Sequence, residues 1–127
     1  MSVKYVVTAK GNPLKPEEDK RFFASVVSNG EISLRELSRD ISAISTVSTA
    51  DVMAVLEGFI EVLPRKLAEG NIVRLGDFGS FRVTLKSDGQ TKEEEVTADS
   101  ITGVKLRFRP GLVLENSLAT ISFEKAE

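Results

Sequence analysis

Phe81-Arg82-Val83-Thr84-Leu85-Lys86 and, after a polar interruption, Val104-Lys105-Leu106-Arg107-Phe108-Arg109 alternate apolar and polar residues without a break. A period of two belongs to strands with one face turned to a core. Paired as a hairpin across Ser87–Ser100, these runs would gather Phe81, Val83, Leu85, Val104, Leu106 and Phe108 on one face. The other face would carry Arg82, Thr84, Lys86, Lys105, Arg107 and Arg109. A solvated outer face normally mixes charge signs, because like charges directly opposite each other destabilise a strand pair. Five cations and a hydroxyl with no interleaved acid therefore predict a surface for a polyanion.

The segments upstream of the hairpin read as helices. Ser33-Leu34-Arg35-Glu36 has the form of a capping box, and Leu34, Leu37, Ile41 and Ile44 follow at helical spacing, which predicts a short helix over about Ser33–Ile44. Ser48 with Asp51 opens a longer one, with Val52, Leu56, Phe59, Leu63 and Leu67 on one face and Gly70 placed to end it. Met53, Val55, Ile60 and Val62 add apolar surface beside that face, more than one short helix can cover, and predict a dimer interface. Pro64 lacks the N–H owed to Ile60, so a kink or local break is expected there. Before the helices, Val3–Ala9 and Phe22–Val27 are β-branched stretches closed by Gly11-Asn12-Pro13 and Ser28-Asn29-Gly30, and predict two strands. After Pro110-Gly111, Leu112, Leu114 and Leu118 mark a short final helix. Ile121-Ser122-Phe123-Glu124 fits either class of element.

The whole chain has 127 residues, 17 Lys and Arg against 19 Asp and Glu, and neither cysteine nor histidine. That excludes disulfides, thiol nucleophiles, zinc ribbons and histidine-based acid–base catalysis, and leaves an enzyme with few candidate groups. Glu93-Glu94-Glu95 lies on a polar segment with nothing to organise it for catalysis. A net charge of −2 argues at first against a nucleic-acid partner. Position changes that inference, because residues 1–30 carry +2, 31–70 carry −3, 71–110 carry +1 and 111–127 carry −2. No apolar run is long enough for a signal peptide or a membrane span, so a cytoplasmic protein is expected.

From about Glu31 to Leu118 the chain resembles the HU and integration host factor family of histone-like DNA-binding proteins. Gly70-Asn71-Ile72-Val73-Arg74-Leu75-Gly76-Asp77-Phe78-Gly79-Ser80-Phe81-Arg82-Val83 is similar to that family's glycine-x-phenylalanine-glycine-x-phenylalanine strand. Phe108-Arg109-Pro110-Gly111, followed by Leu114 and Leu118, is similar to its second signature. Residues 1–30 resemble the extension of a longer, HU-like subset. The resemblance implies an α+β fold with two helices, the second one long, under a β-saddle, a protruding hairpin arm at about 86–103 and a short C-terminal helix. Residues 31–127 would then form the HU-like domain of an intertwined homodimer.

Implied with it is a nucleoid-associated bacterial protein that binds double-stranded DNA through backbone and minor-groove contacts, largely without sequence specificity. The saddle residues carried over are Arg82, Thr84, Lys86, Lys105, Arg107 and Arg109. No cofactor, metal, membrane or small-molecule substrate is implied. Leu85–Gly103 departs from the family, with two cations against five acids and none of the proline that wedges between base pairs. Weak bending is the expected consequence. Leu112 also replaces a family cation on the last helix. The alternative reading is an HU-fold dimer that serves as a protein-interaction or structural module.

Overall fold

Residues 2–126 are described by a computed structural model, and they form two units. One comprises Met1–Ser33 with Ser117–Glu127, the other Leu34–Asn116.

In the first unit, β1 (Ser2–Lys10) pairs antiparallel with β2 (Arg21–Val27), with Tyr5 opposite Val26 and Val7 opposite Ala24. The tail resolves as a strand: β6 (Ser122–Lys125) runs parallel to β1, with Val3 opposite Phe123. The sheet order is therefore β2-β1-β6. Sequence reading placed 31–127 in one domain, whereas this pairing joins the last strand to the N-terminal extension. A parallel partner so distant in sequence has no turn signal to announce it.

In the second unit, α1 (Leu34–Ala43) packs on α2 (Thr49–Ala68). Ser48 caps α2 by accepting from the Asp51 N–H, as the sequence suggested. At the far end Gly70 N–H donates to Leu67 O and Asn71 N–H to Lys66 O, with Gly70 at φ +87°. These are the paired bonds of a Schellman motif, and the left-handed backbone is why glycine stands there. The break expected at Pro64 does not occur, since the helix continues to Ala68. Ile60, whose carbonyl loses its donor, is an exposed residue, and Arg65 bridges Glu61 across the proline at 2.6 Å.

Following α2, β3 (Val73–Arg74), β4 (Gly79–Ser87) and β5 (Ile101–Pro110) form an antiparallel sheet in that order, and α3 (Leu112–Ala119) begins just beyond it. The β3–β4 link is a 3₁₀ turn, Gly76–Phe78. Gly111 N–H donates to Phe78 O at 2.8 Å and locks the start of α3 to this turn.

The apolar side chains are far from fully used. Among the described residues only Val52 and Leu67 form a buried apolar core, while Val55, Ile60 and Val62 on α2 stay exposed. The apolar face of the hairpin was expected to meet a core along its whole length. Phe81 and Val83 are half-buried, but Leu85, Val104 and Leu106 are exposed, because nothing in this unit reaches that end of the sheet. A solitary globule of 13.9 kDa exposes about 6,700 Å², and two separate bodies of these sizes about 8,000 Å². The chain exposes 10749 Å².

Gly111 is the tightest backbone position. A Cβ there would lie 2.2 Å from Asp77 O and 3.0 Å from Gly79 N, both main-chain atoms. Gly111→Ala is expected to destabilise the unit by about 2–3 kcal/mol. Gly103→Ala, which would meet nothing within 4 Å, should stay within about 0.5 kcal/mol of the parent. Urea midpoints compare the two, and equal losses would contradict the packing assigned to Gly111.

Candidate functional site

The register of the hairpin is set by an aromatic ring lying on a glycine. A Cβ on Gly79 would sit 2.7 Å from Cζ of Phe108 and 2.6 Å from Arg109 O, and φ at Gly79 is +153°. Phe108 also lies 4.8 Å from Phe81 and 5.7 Å from Phe78, centroid to centroid, with tilted rings. Tilted pairs at this range add attraction beyond their buried area. Phe81 therefore stands opposite Phe108, and every other pair in the ladder follows.

On the reverse face, Arg82 stands opposite Arg107 and Thr84 opposite Lys105. Ser80 stands opposite Arg109. Lys86 faces Gly103 at the end of the regular ladder, where the register shifts between Lys86 and Ser87. The six residues singled out from sequence thus share one sheet face, with Lys86 at its margin. Alternate residues repeat about every 6.8 Å along a strand and neighbouring strands lie about 4.8 Å apart, so the cations form an open two-dimensional array. Such an array suits a repeating anion better than a small enclosed one.

Arg74 belongs with them and was missed. It pairs with Ser80 in the β3–β4 ladder, so Arg74, Ser80 and Arg109 form one row across three strands. They line a concavity of about 150 Å³ floored by glycine backbone. In the sequence Ile72-Val73-Arg74-Leu75 reads as a strand closed by a tight turn at Gly76-Asp77; the strand observed is only Val73–Arg74, and the link to β4 is the 3₁₀ turn Gly76–Phe78, which fixes the register that places Arg74 opposite Ser80.

The array lacks internal compensation. Among the described residues the ion pairs are Lys15–Glu18, Arg65–Glu61 and Lys66–Glu69, none of which involves it. The acids of the hairpin sit apart in the tip, residues 88–100. There Glu93–Glu95 and Ala98–Ser100 form two 3₁₀ turns. Thr97 and Ser100 cap the second turn reciprocally, and Asp88 N–H donates to Ser100 O at 2.8 Å. Strand pairing ends at Ser87 opposite Ile101, so the tip closes on itself. Among the described residues no cluster of His, Cys, Asp or Glu is arranged to hold a metal ion. None of the described helices is long and apolar enough to cross a membrane.

A family model described as an HU domain fused to a wHTH, Ig or glycine-rich motif matches residues 1–125. The chain is similar in structure to a putative DNA-binding protein from Bacteroides vulgatus ATCC 8482, with a TM-score of 0.66 and 14% identity over 98% of this chain and 47% of that one. It is also similar to HU from Anabaena, solved as an HU–DNA cocrystal, with a TM-score of 0.55 and 18% identity. That match covers 70% of this chain and 99% of the Anabaena chain, so the fold of a whole HU chain is contained in part of this one. The chain spans about half the length of the Bacteroides protein. No curated protein sequence matches it.

The Arg82–Arg107 opposition yields a stability test. Arg107→Gln is expected to raise the urea midpoint at low ionic strength by the equivalent of about 0.2–1 kcal/mol, by removing a like-charge cross-strand pair. The gain should shrink as salt screens the parent. A loss of stability at low salt would show that Arg107 is neutralised from within the chain.

Proposed function

The chain belongs to the family of HU domains fused to a wHTH, Ig or glycine-rich motif, and from that membership we propose that it is a DNA-binding, nucleoid-associated protein of the cytoplasm whose role is architectural rather than catalytic. The observation that carries this reading is the uncompensated cationic face of β3, β4 and β5, with Arg74, Arg82, Lys86, Lys105, Arg107 and Arg109 as phosphate contacts and Thr84 as a neutral one. Contacts of this kind position a duplex without reading its sequence, so binding is largely non-specific and runs along the backbone and minor groove. The Anabaena neighbour, an HU protein crystallised with DNA, supports duplex DNA as the polyanion.

Two copies are needed to complete this surface. The exposed apolar residues of α2 and of the far end of the hairpin, together with an accessible area well above that of solitary bodies, support a homodimer that buries them. Within that dimer the two helices of each chain lie beneath a shared saddle. Bending is weak, because the tip is acidic, closes on itself and carries no proline to wedge between base pairs.

Binding should fall steeply with salt. If half of the dimer's twelve saddle cations meet phosphates, the affinity declines against salt with a log–log slope of about −5. Reversal of Arg82, Arg107 and Arg109 to Glu should cut duplex affinity at least a hundredfold while the urea transition persists. A parent chain that binds no duplex at low salt but holds a stoichiometric protein partner would replace this reading with the interaction module. Bending is read separately, by end-to-end energy transfer on a labelled duplex of about 30 base pairs. Saturation with protein should leave the transfer efficiency nearly unchanged, and a large rise would contradict weak bending.

A further inference from the structure

The first unit has no core of its own: none of its described residues is buried. Its sheet has two unlike edges. On one side β6 is four residues long and carries Glu124 and Lys125, the short charged form that discourages further pairing. On the other side β2 offers seven residues, Arg21-Phe22-Phe23-Ala24-Ser25-Val26-Val27, with a single charge at its first position and no proline. Phe22 and Val26 are 72% and 73% exposed. A long, largely apolar edge with unpaired main-chain groups and only Arg21 charged is a template for another strand.

We infer that this edge pairs with β2 of a second copy, antiparallel and about a twofold axis through Ala24, joining two three-stranded sheets into one of six strands. The strand is self-complementary in that register. Phe22 meets Val26 twice and Ala24 meets Ala24, all on the face that also carries Tyr5 and Val7. Aromatic and β-branched residues are favourable cross-strand partners, and the small central residue leaves room between them. On the opposite face Phe23 meets Ser25, and Arg21 meets Val27, so no like charges are opposed. A slip by one residue would turn Phe22 and Val26 of the two copies to opposite faces of the joined sheet, so the pair would no longer be twofold.

A seven-residue edge buries less than the ~1,200 Å² of a stable stand-alone interface. The contact is therefore weak between single chains and gains strength where each assembling particle presents two edges. In the dimer proposed above, and only if that dimer forms, a second twofold contact per chain yields either a closed set of four chains or an open row of dimers. The strand pairing itself does not depend on duplex binding.

The natural absence of cysteine makes the test clean. Antiparallel partners have Cα atoms about 4.5–5.5 Å apart, within the range a disulfide spans. Full-length protein carrying Ala24→Cys, an exposed position, should convert mostly to a covalent pair of chains under mild oxidation at micromolar concentration. Glu124→Cys on the other edge should not. Ala24→Lys, which sets two ammonium groups face to face, should remove any species larger than a dimer in light scattering and leave duplex affinity as it was. Cross-linking of Ala24→Cys no faster than of Glu124→Cys would overturn the inference, even if duplex binding and a dimer were both observed. Loss of duplex binding with intact Ala24→Cys cross-linking would overturn the saddle reading instead.

Discussion

The two faces of the hairpin sheet, apolar and cationic, depend on one register. The ring of Phe108 needs the bare backbone of Gly79 beneath it, and that contact sets Phe81 opposite Phe108. A strand has only two faces, so the same constraint sends Arg82, Thr84, Lys105, Arg107 and Arg109 to the other side together. A slip of one residue would interleave cations with leucine and valine, and both the apolar face and the anion surface would be lost. Gly111 secures the end of the arrangement by allowing the turn before β4 and the start of α3 to meet at main-chain contact distance.

The second constraint is incompleteness. A single chain buries Val52 and Leu67 and leaves the flank of α2 and the outer half of the hairpin's apolar face to water. At roughly 25 cal/mol per Å², so much exposed apolar surface is a costly state, and the proposed homodimer would relieve it. Charge follows the same division of labour. A net charge of −2 would repel DNA from the molecule as a whole, yet no acid lies within β3, β4 or β5, and the nearest, Asp77, is in the turn between β3 and β4. Approach to a polyanion is then governed by one face, at short range and under strong salt control.

Much of this was legible in the sequence because it is written in local code. Alternation over Phe81–Lys86 and Val104–Arg109 gave both faces of the sheet, Ser48 and Gly70 marked the ends of α2, and the two glycine–aromatic signatures pointed to the family. What stayed illegible is long-range or turn-dependent. Pairing of β6 with β1 spans nearly the whole chain, and the place of Arg74 on the cationic face rests on a 3₁₀ turn that composition does not distinguish from a shorter one. The local break that Pro64 suggested is absent for a different reason. A proline removes one hydrogen bond and crowds the carbonyl four residues back, yet the remaining bonds of a 20-residue helix carry it through to Ala68.

The central claim is that the register-defined cationic face is where duplex DNA lies. Titration of isotope-labelled protein with a short duplex at low salt, followed residue by residue by NMR, tests it most directly. The account predicts the largest shift changes at Arg74, Arg82, Thr84, Lys105, Arg107 and Arg109, with little at residues 88–100 or in β2. Changes confined to the acidic tip or to the N-terminal sheet, or no changes at all, would contradict it.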